Sequence, residues 1–505
     1  MKLSKLLYPG EYTSTSSAEE IEISGIVSDT SALRKGSLFV CLRGTRFDSH
    51  TLLARVEEAG AAAVIVEREA PIPAGLSLPV FTVPSSRTAL ALTHSRYHGS
   101  PEGELIMIGV TGTNGKTSTA SILYTILCAA GIKAGLVGTA ECVYDGRVYT
   151  LPEEERGARL RTMTTPDPDI LYPMLRMMRD AGVTHVVMEV SSHSLVLDKI
   201  APIHYRVGLF TNLSPEHMDF HNDMDSYMKA KSLLFKKCDV GIFNCDDGYA
   251  EAIIARSDCE VRRTGVVWQG DYRATDIELR GSRGVSYSYL APGIRLRVRT
   301  PLPGAFSVYN TLMALTAAIE LGVSPLAAAD ALSIQAAVPG RLERLPLTAA
   351  GFSVFIDYAH TEHALRSLLK TVRAFRRPGE RIVLLFGCGG DRDRSKRAPM
   401  GRVAEDLADE IIVTSDNCRT EDPKEIIKDI LLGMRDPTKP RVIVSRRRAV
   451  EEAILTARDG DIILLCGKGH ETYEITASGI KHFDERKIVA AALEKRKTGD
   501  TGNEN

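Results

Sequence analysis

Apolar residues in this chain fall into two alternating textures, short unbroken runs and longer stretches with a helical period, and that alternation predicts an α/β protein. Over the first hundred residues, β-rich runs at 36–42, 61–67 and 79–83 are separated by helical patterns at 50–59 and 87–98. Gly, Ser and Pro at 99–103 then break both periods, which predicts a linker. The alternation returns on a larger scale from 104 to about 340, with strands expected at 105–111, 185–190, 207–211 and 240–244 in a doubly wound parallel sheet. Between 264 and 300 the helical period is lost and Tyr, Arg and Gly recur in short runs, the pattern of a small antiparallel meander attached to that sheet. A third set of strands, 352–357, 381–386, 410–414, 441–445 and 461–466, follows Pro339 and Gly340. The expected architecture has three domains: a small α/β unit over 1–101, a central doubly wound unit over 102–340 and a Rossmann-like unit over 341–505 that ends in a disordered polar tail.

The length of 505 residues agrees with that count, since roughly 150 residues make one domain. Lys plus Arg at 63 against Asp plus Glu at 64 leaves a net charge of -1, so nucleic acid is not the expected partner. The longest apolar runs, such as 382–386 and 462–466, reach only five or six residues, far short of the roughly 18 of a membrane span. The opening stretch MKLSKLLYPGEY reaches Pro9, Gly10 and Glu11 before any long apolar region develops, so no signal peptide is expected and the protein reads as cytoplasmic. Nine cysteines without a C-x-x-C pair read as reduced thiols.

Chemistry enters at the end of the strand at 105–111. It runs into Gly112-Thr113-Asn114-Gly115-Lys116-Thr117-Ser118 and then a helical pattern. Glycines let backbone N–H groups close around phosphate oxygens, the helix amino end favours negative charge, Lys116 can reach the β and γ phosphates and Thr117 can ligate Mg²⁺. The strict phosphate-loop spacing has a further glycine at 110, where this chain has Val110, so the loop is a variant. A structural glycine-rich turn is the other reading.

A helical wheel of 223–237 puts Met224, Tyr227, Met228, Leu234 and Phe235 on one arc with Lys231 in its middle, while Lys229, Lys236 and Lys237 lie on other sides. A charged ammonium there is costly without a partner. Either its stem snorkels past the apolar face, or the amine lies in a closed site and is functional or modified. Glu189 ends one expected strand, and Asn212, Glu216, His217, Asp219 and His221 follow the next, where parallel sheets place ligands. Such groups can gather around nucleotide-bound Mg²⁺, although Glu189 and His217 each also admit a structural reading.

Taken together, GTNGKTS at 112–118, MEVSSHSLVLDK at 188–199, TNLSPEHMDFH at 211–221, YMKAKSLLF at 227–235, FIDYAHTEHAL at 355–365, GCGGDRDRSKR at 387–397 and GKGHE at 467–471 resemble the Mur ligases, in order and over nearly the whole chain. The resemblance is greatest to members adding the third peptide residue of the peptidoglycan precursor. It implies an ATP-dependent ligase of the cytoplasm, serving cell-wall synthesis and hence cell shape and division. Lys116, Glu189, His217 and Lys231 match catalytic positions, with Lys231 the family's carbamylated lysine formed from CO₂, and Thr117, Glu189, His217 and Lys231 match metal ligands. Asn310, Arg341 and Asp357 match residues holding the base, phosphates and ribose of ATP; by themselves they would read as a helix cap, a surface cation and a turn carboxylate.

The resemblance further implies that Ser28, Thr30, Thr45, Arg46 and Phe47 hold the uridine nucleotide, and that Thr164, Thr165, Ser191 and Lys199 contact the sugar–peptide. The chain departs from the family at Asp29-Thr30-Ser31, commonly Asp-Ser-Arg, at Leu197 and Lys199, often Gln and Arg, and at Glu362, commonly Pro. Arg392, Asp416, Asn417, Arg419, Gly467 and Glu471 match the set recognising the incoming amino acid. Members using meso-diaminopimelate carry Asp-Asn-Pro-Arg, whose arginine can fork onto the distal carboxylate. This chain reads Asp416-Asn417-Cys418-Arg419, with Cys418 a small loop residue rather than a catalyst.

The implied reaction joins a diamino acid, meso-diaminopimelate in preference to L-lysine or L-ornithine, to UDP-N-acetylmuramoyl-L-alanyl-D-glutamate through an acyl phosphate. Domain closure is expected, and a monomer is the default. Two rivals stand beside it: a folylpolyglutamate-type ligase with the same chemistry, and a non-catalytic nucleotide switch using the loop alone.

Overall fold

In the computed structural model, short β-branched runs of the first hundred residues form β1 (Gly25–Val27), β2 (Ser37–Val40), β3 (Ala63–Glu67) and β4 (Val80–Val83), parallel and in that order across one sheet. Helices α1 (Leu53–Glu58) and α2 (Ser86–Tyr97) connect or flank them. The structure describes residues 1–44, 47–68, 70–139, 142–144, 146–149, 164–216, 218, 220–335, 337–347 and 350–498. Its contacts divide the chain into two units, one made of Met1–Arg273, Ala291–Ile294 and Asn310–Ala328, the other of the intervening segments and the chain from Ala329.

Residues 99–103, expected as a linker, instead make a packed turn. Pro101 and Glu102 are buried, and Glu102 accepts a hydrogen bond from Ser95 of α2. The same helix donates from Thr88 Oγ1 to Asp198 Oδ2 at 2.8 Å, and its Ala91 belongs to the core of the sheet that follows.

That larger sheet is built from β5 (Ile106–Thr111), β6 (Ala134–Val137), β7 (Cys142–Tyr144), β8 (Arg147–Val148), β9 (His185–Glu189), β10 (Tyr205–Phe210), β11 (Cys238–Asn244) and β12 (Glu260–Gly265). Its order is β12-β11-β10-β5-β9-β6-β7-β8, parallel from β12 to β6 and antiparallel at β7 and β8. Helices α3 (Lys116–Ala129), α4 (Pro168–Asp180), α5 (Ser192–Val196), α6 (Met224–Ser232) and α7 (Ala250–Ile254) lie between the strands in sequence. β5 is central: the chain leaves it for β6 on one side and later comes back to β10 on the other, so the loop after β5 opens where ligands of doubly wound sheets bind. The helix expected over 223–237 ends at Ser232 and tightens into a 3₁₀ turn over Leu233–Lys236.

β13 (Tyr272–Leu279) begins in the first unit, where Tyr272 and Arg273 pair with Thr264 and Gly265, and runs into the second, where β14 (Val285–Ala291) and β15 (Ile294–Thr300) follow it in strand order. These three strands occupy the stretch expected as a meander. α8 (Ala305–Glu320) and α9 (Pro325–Ser333) come next.

The second unit carries its own sheet of β16 (Glu343–Arg344), β17 (Ser353–Asp357), β18 (Arg381–Phe386), β19 (Glu410–Val413), β20 (Arg441–Val442) and β21 (Asp461–Cys466). Its order is β16-β17-β21-β18-β19-β20, parallel except for the edge strand β16. Helices α10 (Glu362–Phe375), α11 (Arg397–Leu407), α12 (Pro423–Leu431), α13 (Arg446–Leu455) and α14 (Glu485–Thr498) accompany it, with β22 (Tyr473–Thr476) and β23 (Gly479–His482) as a separate hairpin. Among the described residues no helix is long and apolar enough to cross a membrane.

Candidate active site

Three neighbouring strands, β9, β5 and β10, deliver chemistry at their carboxyl ends. Val110, where a longer phosphate loop would have glycine, is a buried residue of β5 paired with Glu189, so the loop begins only at Gly112. Gly112 has φ +147, and a Cβ there would lie 1.9 Å from Thr211 Oγ1, which leaves room for no other residue. The segment after β10 clamps the loop. Asn212 accepts from Thr113 N at 2.8 Å through its carbonyl and from Asn114 N at 2.9 Å through Oδ1, while Thr211 Oγ1 donates to Asn114 O at 2.6 Å. Gly115, at φ +84, precedes α3 and packs against Asn310, whose Oδ1 also accepts from Thr119. Ser118 lies in the first turn of α3. Lys116 folds back onto the loop and donates to Gly112 O at 2.9 Å and Thr113 O at 2.8 Å.

Glu189, 1% exposed, ends β9 beside this cradle. Its Oε2 accepts from Thr117 Oγ1 at 2.9 Å and its Oε1 from Thr139 N at 2.7 Å. Around it, Thr139 Oγ1 donates to Thr164 Oγ1 at 3.1 Å, Thr165 Oγ1 donates to Glu189 O at 2.9 Å, and Ser191 N donates to Thr165 Oγ1 at 3.1 Å. Thr164, Thr165 and Ser191 are thus brought together, whereas Thr139 went unnoticed in the sequence because no motif encloses it. Lys199 is paired with Asp167 at 2.7 Å. A buried carboxylate bonded to a loop threonine offers hard oxygen donors at the phosphate end, which fits Mg²⁺. Among the described residues no group of three or more His, Cys, Asp or Glu forms a metal cluster, and His217 lies outside the described residues.

Lys231 does not snorkel. It is 1% exposed on α6, while Lys229 and Lys236 are exposed. Its Nζ donates to Gly112 O at 2.8 Å and lies 4.5 Å from the centre of the Tyr227 ring. Burial, reinforced by the Lys116 charge and opposed by Glu216, holds its pKa well below the usual lysine value. A neutral amine is the nucleophilic form that condenses with CO₂, so the site fits the carbamate.

In the amino-terminal sheet, Ser28 follows β1 and Thr30 opens a short 3₁₀ turn capped by Asp29, which accepts from Ser31 N at 2.8 Å. Phe47 is 57% exposed; Thr45 and Arg46 lie outside the described residues.

The second unit holds the remaining candidates at its own strand ends. Asp357 ends β17 and accepts from Leu342 N at 2.6 Å and Ala359 N at 2.8 Å; burial raises its pKa against the pull of Arg341. Arg341 lies over the Tyr358 ring at 5.2 Å. Glu362, where the resemblance noted in the sequence would place Pro, is the first residue of α10, after the capping Thr361, and accepts from Arg366 at 2.7 Å. Both residue types suit that position, Pro by its fixed φ and Glu by its charge at a helix amino end.

Beyond β18, β19 and β21 lie Arg392, the 416–419 segment and Gly467. Asp416 and Asn417 are buried. Burial would raise the Asp416 pKa, but the charges of Lys468 and Arg446 outweigh it and hold the carboxyl at about 2. The pKa of Glu471 is raised by burial and by Asp416. Asn417 Nδ2 donates to Glu471 Oε2 at 2.8 Å. Gly467 has φ +109, and a Cβ there would meet Asp416 Oδ2 at 2.6 Å. Arg419, itself at φ 52, donates to Gly390 O at 2.7 Å, and a Cβ on Gly389 would meet both Arg419 Nη1 at 3.1 Å and Arg392 Cγ at 3.9 Å. Two guanidinium side chains therefore border one glycine.

A phosphate cradle, a buried lysine and a Rossmann-like second unit are the marks of an ATP-using ligase of acids and amines. The model of the Mur ligase middle domain matches residues 110–318, and that of the Mur ligase glutamate ligase domain matches residues 340–469. The UDP-N-acetylmuramoyl-L-alanyl-D-glutamate–2,6-diaminopimelate ligase of Syntrophomonas wolfei is 38% identical over 479 residues, 94% of this chain and 95% of that protein. The Clostridioides difficile protein of the same name is 37% identical over 500 residues, 98% of this chain and all of the relative. A solved structure of a ligase of that name superposes with a TM-score of 0.68 at 26% identity, over 98% of this chain and 99% of the other. Mycobacterium tuberculosis folylpolyglutamate synthase shares the fold, with a TM-score of 0.61 at 18% identity over 82% of this chain and 96% of its own. The chain belongs to the Mur ligase family.

Proposed function

We propose that this protein joins meso-diaminopimelate to the D-glutamate carboxylate of UDP-N-acetylmuramoyl-L-alanyl-D-glutamate, with hydrolysis of ATP to ADP and phosphate. The observation that carries the reading is the convergence of two lysines on a phosphate loop beside a buried glutamate, a place built for concentrated negative charge. Near-full-length identity to ligases of that name supports the substrates. A nucleotide switch has no evident use for Lys231 or Glu189, and the folate-type relatives share the fold alone.

The carboxylate oxygen of D-glutamate attacks the γ phosphorus of ATP, the bond to the bridging oxygen breaks and ADP leaves, giving an acyl phosphate. The amine of the diamino acid then attacks the acyl carbon, loses a proton and expels inorganic phosphate. Lys116 holds charge on the transferring group, the loop amides orient it, and Gly112 to Ser118 bind the phosphates. Thr117, Glu189, His217 and a carbamate on Lys231 would hold Mg²⁺, which would supply charge neutralisation at the phosphates. Asn310, Arg341 and Asp357 bind the nucleotide; Ser28, Thr30, Thr45, Arg46 and Phe47 bind the uridine end; Thr164, Thr165, Ser191 and Lys199 bind the sugar–peptide. Arg392, Asp416, Asn417, Arg419, Gly467 and Glu471 bind the diamino acid, Arg419 forking onto its distal carboxylate. The division into 1–101, 102–340 and 341–505 assigns one substrate mainly to each domain.

The test offers meso-diaminopimelate, L-lysine and L-ornithine separately with the UDP-dipeptide and ATP, and identifies products by mass. A tripeptide product with meso-diaminopimelate, and ADP release that depends on it, is expected. Strong ADP release unchanged by any diamino acid would sink the ligase mechanism.

A further inference from the structure

Lys468 is 0% exposed and stands between the two carboxylates of the amino-acid set. Its Nζ donates to Asn417 Oδ1 at 2.8 Å and Tyr473 O at 2.9 Å, and lies 3.4 Å from Asp416 Oδ1 and 3.6 Å from Glu471 Oε2. Asn417 Oδ1 accepts a second bond from Ile475 N at 2.9 Å. With two donors on its oxygen, the amide has one orientation, its NH₂ aimed at Glu471 Oε2. One oxygen of each carboxylate is thereby committed inside the protein. Among the described residues, the other two, Asp416 Oδ2 and Glu471 Oε1, take no hydrogen bond from a side chain or backbone donor, and Gly467 presents no side chain to cover Asp416 Oδ2.

Resting on the proposed function above, we infer that Lys468 is the positioning residue for the ammonium group of the incoming diamino acid. It ties down the inner oxygens of Asp416 and Glu471, fixes the Asn417 amide between them, and leaves the outer oxygens as paired acceptors for a cationic amine. Its charge also sets the sign of the site. Without Lys468 the cation left beside the pair is Arg446, itself paired with Glu485, and two buried carboxylates with so little compensation tend to share a proton; a protonated acid accepts poorly from an ammonium. With Lys468 in place, two carboxylates face one lysine, and this formal excess of acid favours an ammonium over a neutral side chain.

The experiment compares wild type with Lys468→Met and Lys468→Gln. In each variant KM for the diamino acid is expected to rise about tenfold or more, with kcat changed by less than about threefold and KM for ATP and the UDP-dipeptide unmoved. The pH dependence of that KM should shift upward, because the carboxylate pair loses a cation that favours its charged form. Glu471→Gln added to Lys468→Met should cost less than the sum of the two singly, since both disturb one network. An unchanged KM in a variant that still ligates, or equal losses for all three substrates, overturns the inference. If both variants fail to melt cooperatively with bound nucleotide, Lys468 is a folding residue and the inference falls. Failure of wild type itself to use any diamino acid would instead remove the function on which it rests.

Discussion

Lys116 and Lys231, 115 positions apart in sequence, donate to one oxygen, the carbonyl of Gly112, at 2.9 and 2.8 Å. Two ammonium groups sharing an acceptor repel, and the pair relaxes most readily when the buried one is neutral. Lys231 is therefore expected to capture CO₂. Carbon-13 bicarbonate should give a carbamate resonance in wild type and none in Lys231→Met, and that variant should lose about a hundredfold or more in turnover. A wild type indifferent to thorough removal of bicarbonate would contradict this.

Glu189 satisfies donors as well as charge. Glu189→Gln keeps the shape and should fold within about 1 kcal/mol of wild type while losing most Mg²⁺-dependent activity. Glu189→Ala strands Thr117 and Thr139 and should cost a further 2 to 4 kcal/mol or so, readable by urea unfolding.

Arg419 should be irreplaceable by lysine if the distal carboxylate is forked. Arg419→Lys is expected to raise KM for meso-diaminopimelate by roughly two orders of magnitude while leaving KM for ATP alone. Steady-state kinetics with both substrates varied checks it.

Asp416 gives a pH signature. Its carboxyl is held at about 2 when folded against an ordinary 3.8, so it contributes stability above pH 4 that is lost as pH falls toward 2. The contribution is about 2 kcal/mol, and the gap in unfolding free energy between wild type and Asp416→Asn should close over that window.

Much of this was legible before any coordinates. Apolar runs placed most strands to within a residue or two, because a parallel strand buried on both faces is nearly continuous in hydrophobicity. The strands that escaped are those without such runs. β12 reads Glu-Val-Arg-Arg-Thr-Gly, its arginines paired with Glu320 and Glu251. β1 is three residues long, and β6 is a four-residue run with a glycine. The 99–103 turn looked like a linker because its composition is that of one, while its packing depends on Ser95 and its neighbours in space. Lys231 stood out because its helix offers solvent-facing positions that it does not take. Lys468 did not, since a lysine between two glycines has no periodic context and its partners Asn417 and Asp416 lie some fifty residues earlier.

The Thr88–Asp198 bond and the seating of Ala91 in the larger core carry a practical lesson for anyone dissecting this enzyme. A fragment starting at residue 102 would shed the α2 face and leave bare the oily surface that Ala91 covers, inviting aggregation. Chimeras that replace the amino-terminal sheet should keep this α2 and cut upstream of it.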